Sequence, residues 1–136
     1  MKTRCVKPGC AAVVGVVSAL VLFWYFCRPV VALHYSASGS APIGYFYDTD
    51  VYISKRSLQP GESAKYYTDW QHKSDYWTSI SFPAENREEV EINGPFSRVD
   101  VCIGPGGKIE RTETRHGFFA RFTAPSEPCE PPTSKR

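Results

Sequence analysis

The chain has 136 residues, which suffices for one small domain and an added segment, and its formal net charge is only +2. Two different parts make up this total: residues 1–33 carry four basic and no acidic side chains, whereas residues 34–136 carry 12 basic and 14 acidic ones, a net −2. Because the larger part has no basic stripe, it lacks the electrostatic basis for nucleic-acid binding, and we expect no nucleic-acid partner.

The first predicted element is a membrane helix. Residues 11–27 form a run of 17 residues without a charge. A helix needs roughly 17–25 mostly apolar residues to cross a bilayer. Since Arg28 can extend its guanidinium to the lipid headgroups, the sequence predicts a transmembrane helix over residues 11–33, with Pro29 as the point where it breaks or kinks.

Charge predicts the orientation of this helix. The N-terminal stub, residues 1–10, contains Lys2, Arg4 and Lys7 and no acidic residue, which by the positive-inside rule places it in the cytoplasm. We therefore expect a single-pass signal-anchor protein of the cell membrane. Residues 11–33 would then contact the lipid bilayer as a partner, and the C-terminal part would be extracytoplasmic.

The alternative is a secretory signal that is cleaved, which would release a secreted protein, because a basic start and an apolar run are common to both kinds of segment. The length of the apolar run favours retention. Small residues that a signal peptidase could accept lie at Val30 and Ala32, or at Ser36 and Ser38.

The rest of the chain predicts one all-β domain over residues 43–123, between a linker at 34–42 and a Pro-rich flexible tail at 124–136. Aromatic and β-branched runs recur about every ten positions between clusters of Pro, Gly and Asn, a spacing typical of sandwiches and barrels. We expect a small antiparallel immunoglobulin-like or fibronectin-like sandwich, with a partly open barrel as the alternative. The predicted strands cover residues 43–47, 50–55, 63–70, 75–82, 89–92, 97–104, 107–114 and 117–123.

Two cysteines, Cys102 and Cys129, fall in the predicted extracytoplasmic part, where disulfides form. Alternation along residues 97–104 turns Cys102 away from the predicted core, and Cys129 lies in the tail. The sequence leaves two states open, a disulfide between them or two free thiols, because spacing alone does not fix the distance between the α-carbons.

Catalytic and metal-binding motifs are not found in the sequence. His34, His72 and His116 are scattered, with no His-x-His or His-Glu-x-x-His spacing, and we expect solvated side chains at all three. We accordingly expect no enzymatic activity, no cofactor and no metal site.

Residues 65–77 contain five aromatic side chains around a polar turn, which predicts a hairpin between the strands at 63–70 and 75–82. Rings lie on both faces of such a hairpin. Tyr67, Trp70, Tyr76 and Trp77 are therefore a candidate patch for a partner or ligand, since tyrosine and tryptophan are enriched at interfaces. The alternative is ordinary cross-strand aromatic pairing that stabilises the hairpin.

Three functions fit these observations. The first is a non-enzymatic, membrane-anchored β domain that mediates protein–protein interaction in an envelope or membrane-associated assembly. The second is an extracytoplasmic domain that binds a glycan or small ligand through the aromatic patch. The third is a metal-handling accessory protein, because a membrane helix before an immunoglobulin-like domain is similar in layout to the copper-assembly proteins of cytochrome oxidase; the chain lacks their Cys-x-Cys pair.

Overall fold

The computed structural model describes residues 8–69, 77–83, 87–126, 128 and 129. Within them the chain forms one helix, α1 (Pro8–Phe26), followed by strands and two short 3-10 helices, Pro105–Gly107 and Phe118–Phe122. The strands are β1 (Val30–Tyr35), β2 (Ile43–Thr49), β3 (Ile53–Leu58), β4 (Ser63–Tyr67), β5 (Trp77–Phe82), β6 (Glu88–Asn93), β7 (Arg98–Ile103) and β8 (Ile109–Arg115).

The strands form two four-stranded sheets, which confirms the predicted all-β class. Sheet A has the strand order β4-β1-β7-β8, and sheet B has the order β3-β2-β5-β6. Neighbouring strands are antiparallel except β1 and β7, which run parallel. The expectation of a purely antiparallel arrangement is therefore wrong for this pair.

The core consists of apolar side chains from alternate positions of both sheets. Sheet A contributes Val31, Leu33 and Tyr35 from β1, with Val99, Val101 and Ile103 from β7. Sheet B contributes Ile43, Tyr45, Tyr47, Leu58, Ile80, Phe82 and Ile92. The predicted shared face of the three β7 residues is confirmed, because all three are fully or almost fully buried in this core.

The domain begins earlier than the sequence predicts. Helix α1 ends at Phe26, and residues 30–35, assigned to the membrane helix at 11–33 and the linker at 34–42, form the interior strand β1. Pro29 is close to the true end of the helix, as expected from its missing N–H. The prediction failed because an apolar run such as VVAL has the same composition in a membrane helix and in a strand that is buried on both faces.

Other strand predictions have mixed outcomes. Residues 43–58 form two paired strands, β2 and β3, and the predicted hairpin through the Gly-Pro-Gly-Gly turn joins β7 to β8. Gly106 has φ of 75° in that turn, a conformation that glycine adopts without strain. The strand at 117–123 is wrong: Phe118–Phe122 is a 3-10 helix whose phenylalanines are all exposed.

One end of the two-sheet domain adjoins α1, and we call it the helix-proximal end. Val30 at the start of β1 pairs with Tyr67 at the end of β4 and with Arg98 at the start of β7. The end of β6 is joined to the start of β7 by a short link, so it lies at this end too. The end of β6 pairs with the start of β5, which pairs in turn with the end of β2, so the β2–β3 turn also lies here. The opposite, distal end carries the turns around residues 36–42, 59–62 and 104–108.

Candidate functional site

Helix α1 exposes most of its large apolar side chains, from Val13 to Phe26. Gly9–Phe26 has a mean hydropathy of 2.1, and none of it is buried against the domain. By length and composition this segment is able to cross a membrane. A helix that is apolar on every side has no polar face to present to water, a property that membrane spans share with N-terminal signal sequences.

The junction between α1 and the domain is short and well packed. Three residues separate Phe26 from β1, and Cys27, the first of them, is buried. The Arg121 guanidinium donates a hydrogen bond to the Cys27 carbonyl, and the Arg28 guanidinium lies 4.1 Å from the centre of the Trp24 ring. The domain is therefore attached directly to the helix and not through a flexible linker.

The predicted aromatic patch is only partly described, and its hairpin is wrong. Tyr67 ends β4 in sheet A, whereas Trp77 begins β5 in sheet B, so the two strands do not pair. Both side chains are exposed. Trp70 and Tyr76 lie outside the described residues. The hairpin failed because β4 pairs with β1, a strand that the sequence analysis assigned to the membrane helix.

A cleft of about 200 Å³ lies between the β2–β3 turn and the end of β4. Its lining residues are Tyr47, Thr49, Asp50, Val51, Tyr52, Tyr67, Thr68 and Asp69. Four of these lining residues, Asp50, Tyr52, Tyr67 and Asp69, have exposed side chains. Aromatic faces beside carboxylates can stack on and hydrogen-bond to a small polar ligand. Of the predicted patch, Tyr67 contributes to this cleft.

Strand β4 presents main-chain hydrogen-bonding groups at the edge of sheet A. It pairs with β1 on one side, and among the described strands no neighbour lies on the other. Thr68 N–H donates to the Pro29 carbonyl at 2.9 Å. Because antiparallel pairs alternate, the N–H and C=O groups of Ser63, Lys65 and Tyr67 point towards this outer edge. The edge is therefore a template for an added strand.

Asp100 is the centre of a buried ionic cluster on the outer face of sheet A. Its carboxylate accepts hydrogen bonds from His34 Nε2 at 2.8 Å, from Arg98 Nε and Nη2 at 2.8 and 2.7 Å, and from Arg115 Nη2 at 2.7 Å. Burial alone would raise the pKa of Asp100, but these donors outweigh it and hold the pKa well below its usual range. The carboxylate is therefore ionised at neutral pH and paired with two guanidiniums.

The predicted solvated state of His34 is wrong. Its Nδ1 lies 2.9 Å from Ser63 Oγ, so that Ser63, His34 and Asp100 form a hydrogen-bonded chain across three strands. The same residue types form the relay of serine hydrolases. Here, however, Arg98 and Arg115 already neutralise the carboxylate, and Ser63 is exposed on an edge strand at the far end of β4 from the cleft. We interpret the chain as a structural tie between β4, β1 and β7.

Described residues that follow β8, among them Arg121, Thr123, Ala124 and Cys129, cover this cluster. Arg115 donates to Thr123 Oγ1 at 2.7 Å and to the Ala124 carbonyl at 2.9 Å. Farther along, Cys129 forms a disulfide with Cys102, with 5.2 Å between the α-carbons. The sequence left open either a disulfide or two free thiols, and the structure contains the disulfide. The covering segment explains why all of β7 is buried, although only one of its faces contacts sheet B.

The ionic cluster was not predicted because its members are far apart in the chain. A detectable signal was the alternation Arg98-Val99-Asp100-Val101, since opposite charges two positions apart on one strand face can pair. Among the described residues, no group of three or more His, Cys, Asp or Glu side chains is arranged to hold a metal ion. Comparisons with models of protein families, with curated proteins and with solved structures find no match to this chain.

Proposed function

We propose that this chain is a non-enzymatic, single-pass membrane protein whose β domain mediates protein–protein interaction in an envelope or membrane-associated assembly. The observation that carries the proposal is the fully exposed apolar helix α1, which leads after three residues into the buried strand β1. An arrangement of this kind holds one rigid domain against the bilayer. The two-sheet core supports an immunoglobulin-like or fibronectin-like assignment.

Retention of the helix is favoured over cleavage because both candidate cleavage positions would damage the core. A cut after Ala32 would divide β1, and a cut after Ser38 would remove it. Strand β1 lies between β4 and β7, so a cut after Ser38 would leave both without this neighbour, and a cut after Ala32 would leave them only its last three residues. The Cys102–Cys129 disulfide supports an extracytoplasmic domain and a cytoplasmic N-terminus, since such bridges persist in oxidising compartments.

The free edge of β4 is the surface that best suits a protein partner. Its outward N–H and C=O groups can accept an extended segment, which is a common mode of peptide recognition. The test is a photo-crosslinking amino acid in place of Lys65, used in native membranes. Thr112, exposed on the opposite edge strand β8, is the matched control position.

We expect a crosslinked adduct of higher mass from position 65 and none from position 112. Recovery of adducts of this chain with itself would replace docking onto another protein by self-association. Equal adducts from both positions, or none from either, would contradict β4 as the interaction surface.

Binding of a glycan or small ligand is a second candidate, which the cleft between Tyr52 and Tyr67 favours. Because Trp77 does not line this cleft, the decisive variant is Tyr52→Ala, with Trp77→Ala as the control. Ligand binding on a glycan array that is lost with Tyr52→Ala and kept with Trp77→Ala would support this function. An array without any binding would exclude glycans. Equilibrium dialysis with copper tests the third candidate, a metal-handling accessory protein.

A further inference from the structure

The large exposed apolar side chains of the domain are concentrated, within the described residues, at the helix-proximal end. We call this set the apolar rim; it comprises Val51, Tyr52, Ile53, Tyr67, Trp77, Phe118, Phe119 and Phe122. Val51 is 82% exposed and Phe119 is 75% exposed. The turns of the distal end contribute no large exposed apolar side chain to this set. Such an asymmetry is costly in water unless another apolar phase covers the rim.

Two aromatic contacts place two members of the rim, Phe118 and Tyr67, level with the last turn of α1. Phe118 stacks on Phe23 with 6.5 Å between ring centres, and Tyr67 lies 5.9 Å from Tyr25. At about 1.5 Å per residue, Phe23 lies roughly 4.5 Å before the helix end along its axis. If α1 crosses the bilayer, the rim therefore lies in the headgroup region and not above it.

The composition of the rim suits that region. Tyrosine and tryptophan concentrate where hydrocarbon meets headgroups. Two guanidiniums lie beside the rings, Arg28 at 4.1 Å from Trp24 and Arg121 at 4.5 Å from Phe118. A cationic group next to exposed aromatic rings is the pattern of segments that lie in the membrane interface.

We infer that the apolar rim inserts into the headgroup region of the bilayer, so that the domain stands directly on the membrane with its strands directed away from it. The occupant is lipid because the rim is continuous with α1, which carries the domain to the bilayer; the inference thus rests on the membrane anchoring proposed above. One consequence is that the cleft, whose lining includes the rim residues Val51, Tyr52 and Tyr67, lies close to headgroup level. Another is that the edge of β4 extends outward from the membrane.

The test uses the full chain in lipid nanodiscs with an environment-sensitive fluorescent amino acid at one position at a time. The positions are 119 in the rim, 108 in the distal turn and 20 in α1. Lipids with brominated acyl chains quench a probe that is inserted, whereas iodide quenches a probe that is exposed to water. We expect brominated lipids to remove most of the emission at positions 20 and 119 and little at position 108. Iodide should have the opposite effect.

Each alternative has its own result. Quenching by brominated lipids at position 20 but not at 119, with strong iodide quenching at 119, would overturn the insertion of the rim and leave the membrane anchor intact. Protection of position 119 from both quenchers would overturn it too, because a protein surface would then cover the rim. Absence of lipid quenching at position 20 would contradict the anchor itself.

A substitution gives a second readout. Phe119→Asp places a charge at the rim, and because Phe119 is mostly exposed, the fold should tolerate it. A probe at position 51 should then lose most of its quenching by brominated lipids. Lys108→Asp, in the distal turn, is the control and should leave that quenching unchanged. Unchanged quenching in Phe119→Asp would contradict a role of this residue in insertion.

Discussion

Leu33 is the residue whose substitution tests most sharply that β1 belongs to the domain. It is fully buried, and its neighbours in sheet A are Ala64 of β4 and Val101 of β7. Leu33→Ala removes three carbon atoms, which at about 0.8 kcal/mol each costs about 2.4 kcal/mol. The cavity that remains adds to this, so we expect a loss of about 3–4 kcal/mol in the free energy of unfolding.

The measurement is urea unfolding of the full chain in detergent micelles, followed by the near-ultraviolet circular dichroism of the packed tyrosines. With a slope of about 2 kcal/mol per molar urea, the loss shifts the midpoint down by about 1.5 M or more. Leu20→Ala, in the exposed helix α1, is the control and should change the stability of the domain by less than about 0.5 kcal/mol. Equal, small effects of both substitutions would show that residues 30–33 continue the membrane helix, and would refute the strand assignment.

Three further predictions concern the polar interior and the disulfide. Asp100→Asn leaves the buried arginines without their counter-ion and should lower the free energy of unfolding at pH 7 by about 3 kcal/mol. Because the pKa of Asp100 is lowered in the folded state, the ionised carboxylate contributes its full stabilisation above the usual carboxyl pKa of 3.8, and this stabilisation is lost as the pH falls further. The stability of the variant should therefore depend less on acid pH. Burial, and secondly a hydrogen bond with Tyr66, raises the pKa of Tyr45. The protonated phenol therefore contributes its full stabilisation below pH 10.0 and loses it as the pH rises further. Tyr45→Phe should flatten the alkaline part of a plot of urea midpoint against pH. Reduction of the Cys102–Cys129 disulfide, which closes a separation of 27 residues, should cost about 3–4 kcal/mol in the same unfolding assay, and an unchanged midpoint after reduction would contradict its role in fixing the covering segment.

Local patterns in the sequence identified much of the sheet architecture. Alternation in β7 located its core face, and the Gly-Pro-Gly-Gly turn identified the β7–β8 hairpin, because both depend on residues that are close in the chain. An N-terminal apolar helix was predicted from length and composition, and the end of α1 at Phe26 lies close to the predicted break at Pro29.

Predictions that depend on distant pairing failed or were absent. Strand β1 has the composition of a membrane helix, and only its neighbours β4 and β7 distinguish it as a strand. Once β1 was assigned to the helix, β4 had no partner except β5, which produced the wrong hairpin. The Asp100 cluster joins residues up to 66 positions apart, and its existence follows from the register of β1, β7 and β8.

We propose above all that α1 stays attached to the mature protein and holds the β domain on the outer surface of a membrane. The most direct test is protease treatment of intact cells that produce the full chain with an N-terminal and a C-terminal epitope tag. We predict one band that carries both tags, resists extraction by alkaline carbonate, and loses the C-terminal tag to external protease while the N-terminal tag stays protected. A mature band without the N-terminal tag, or a C-terminal tag that external protease cannot reach, would contradict the claim.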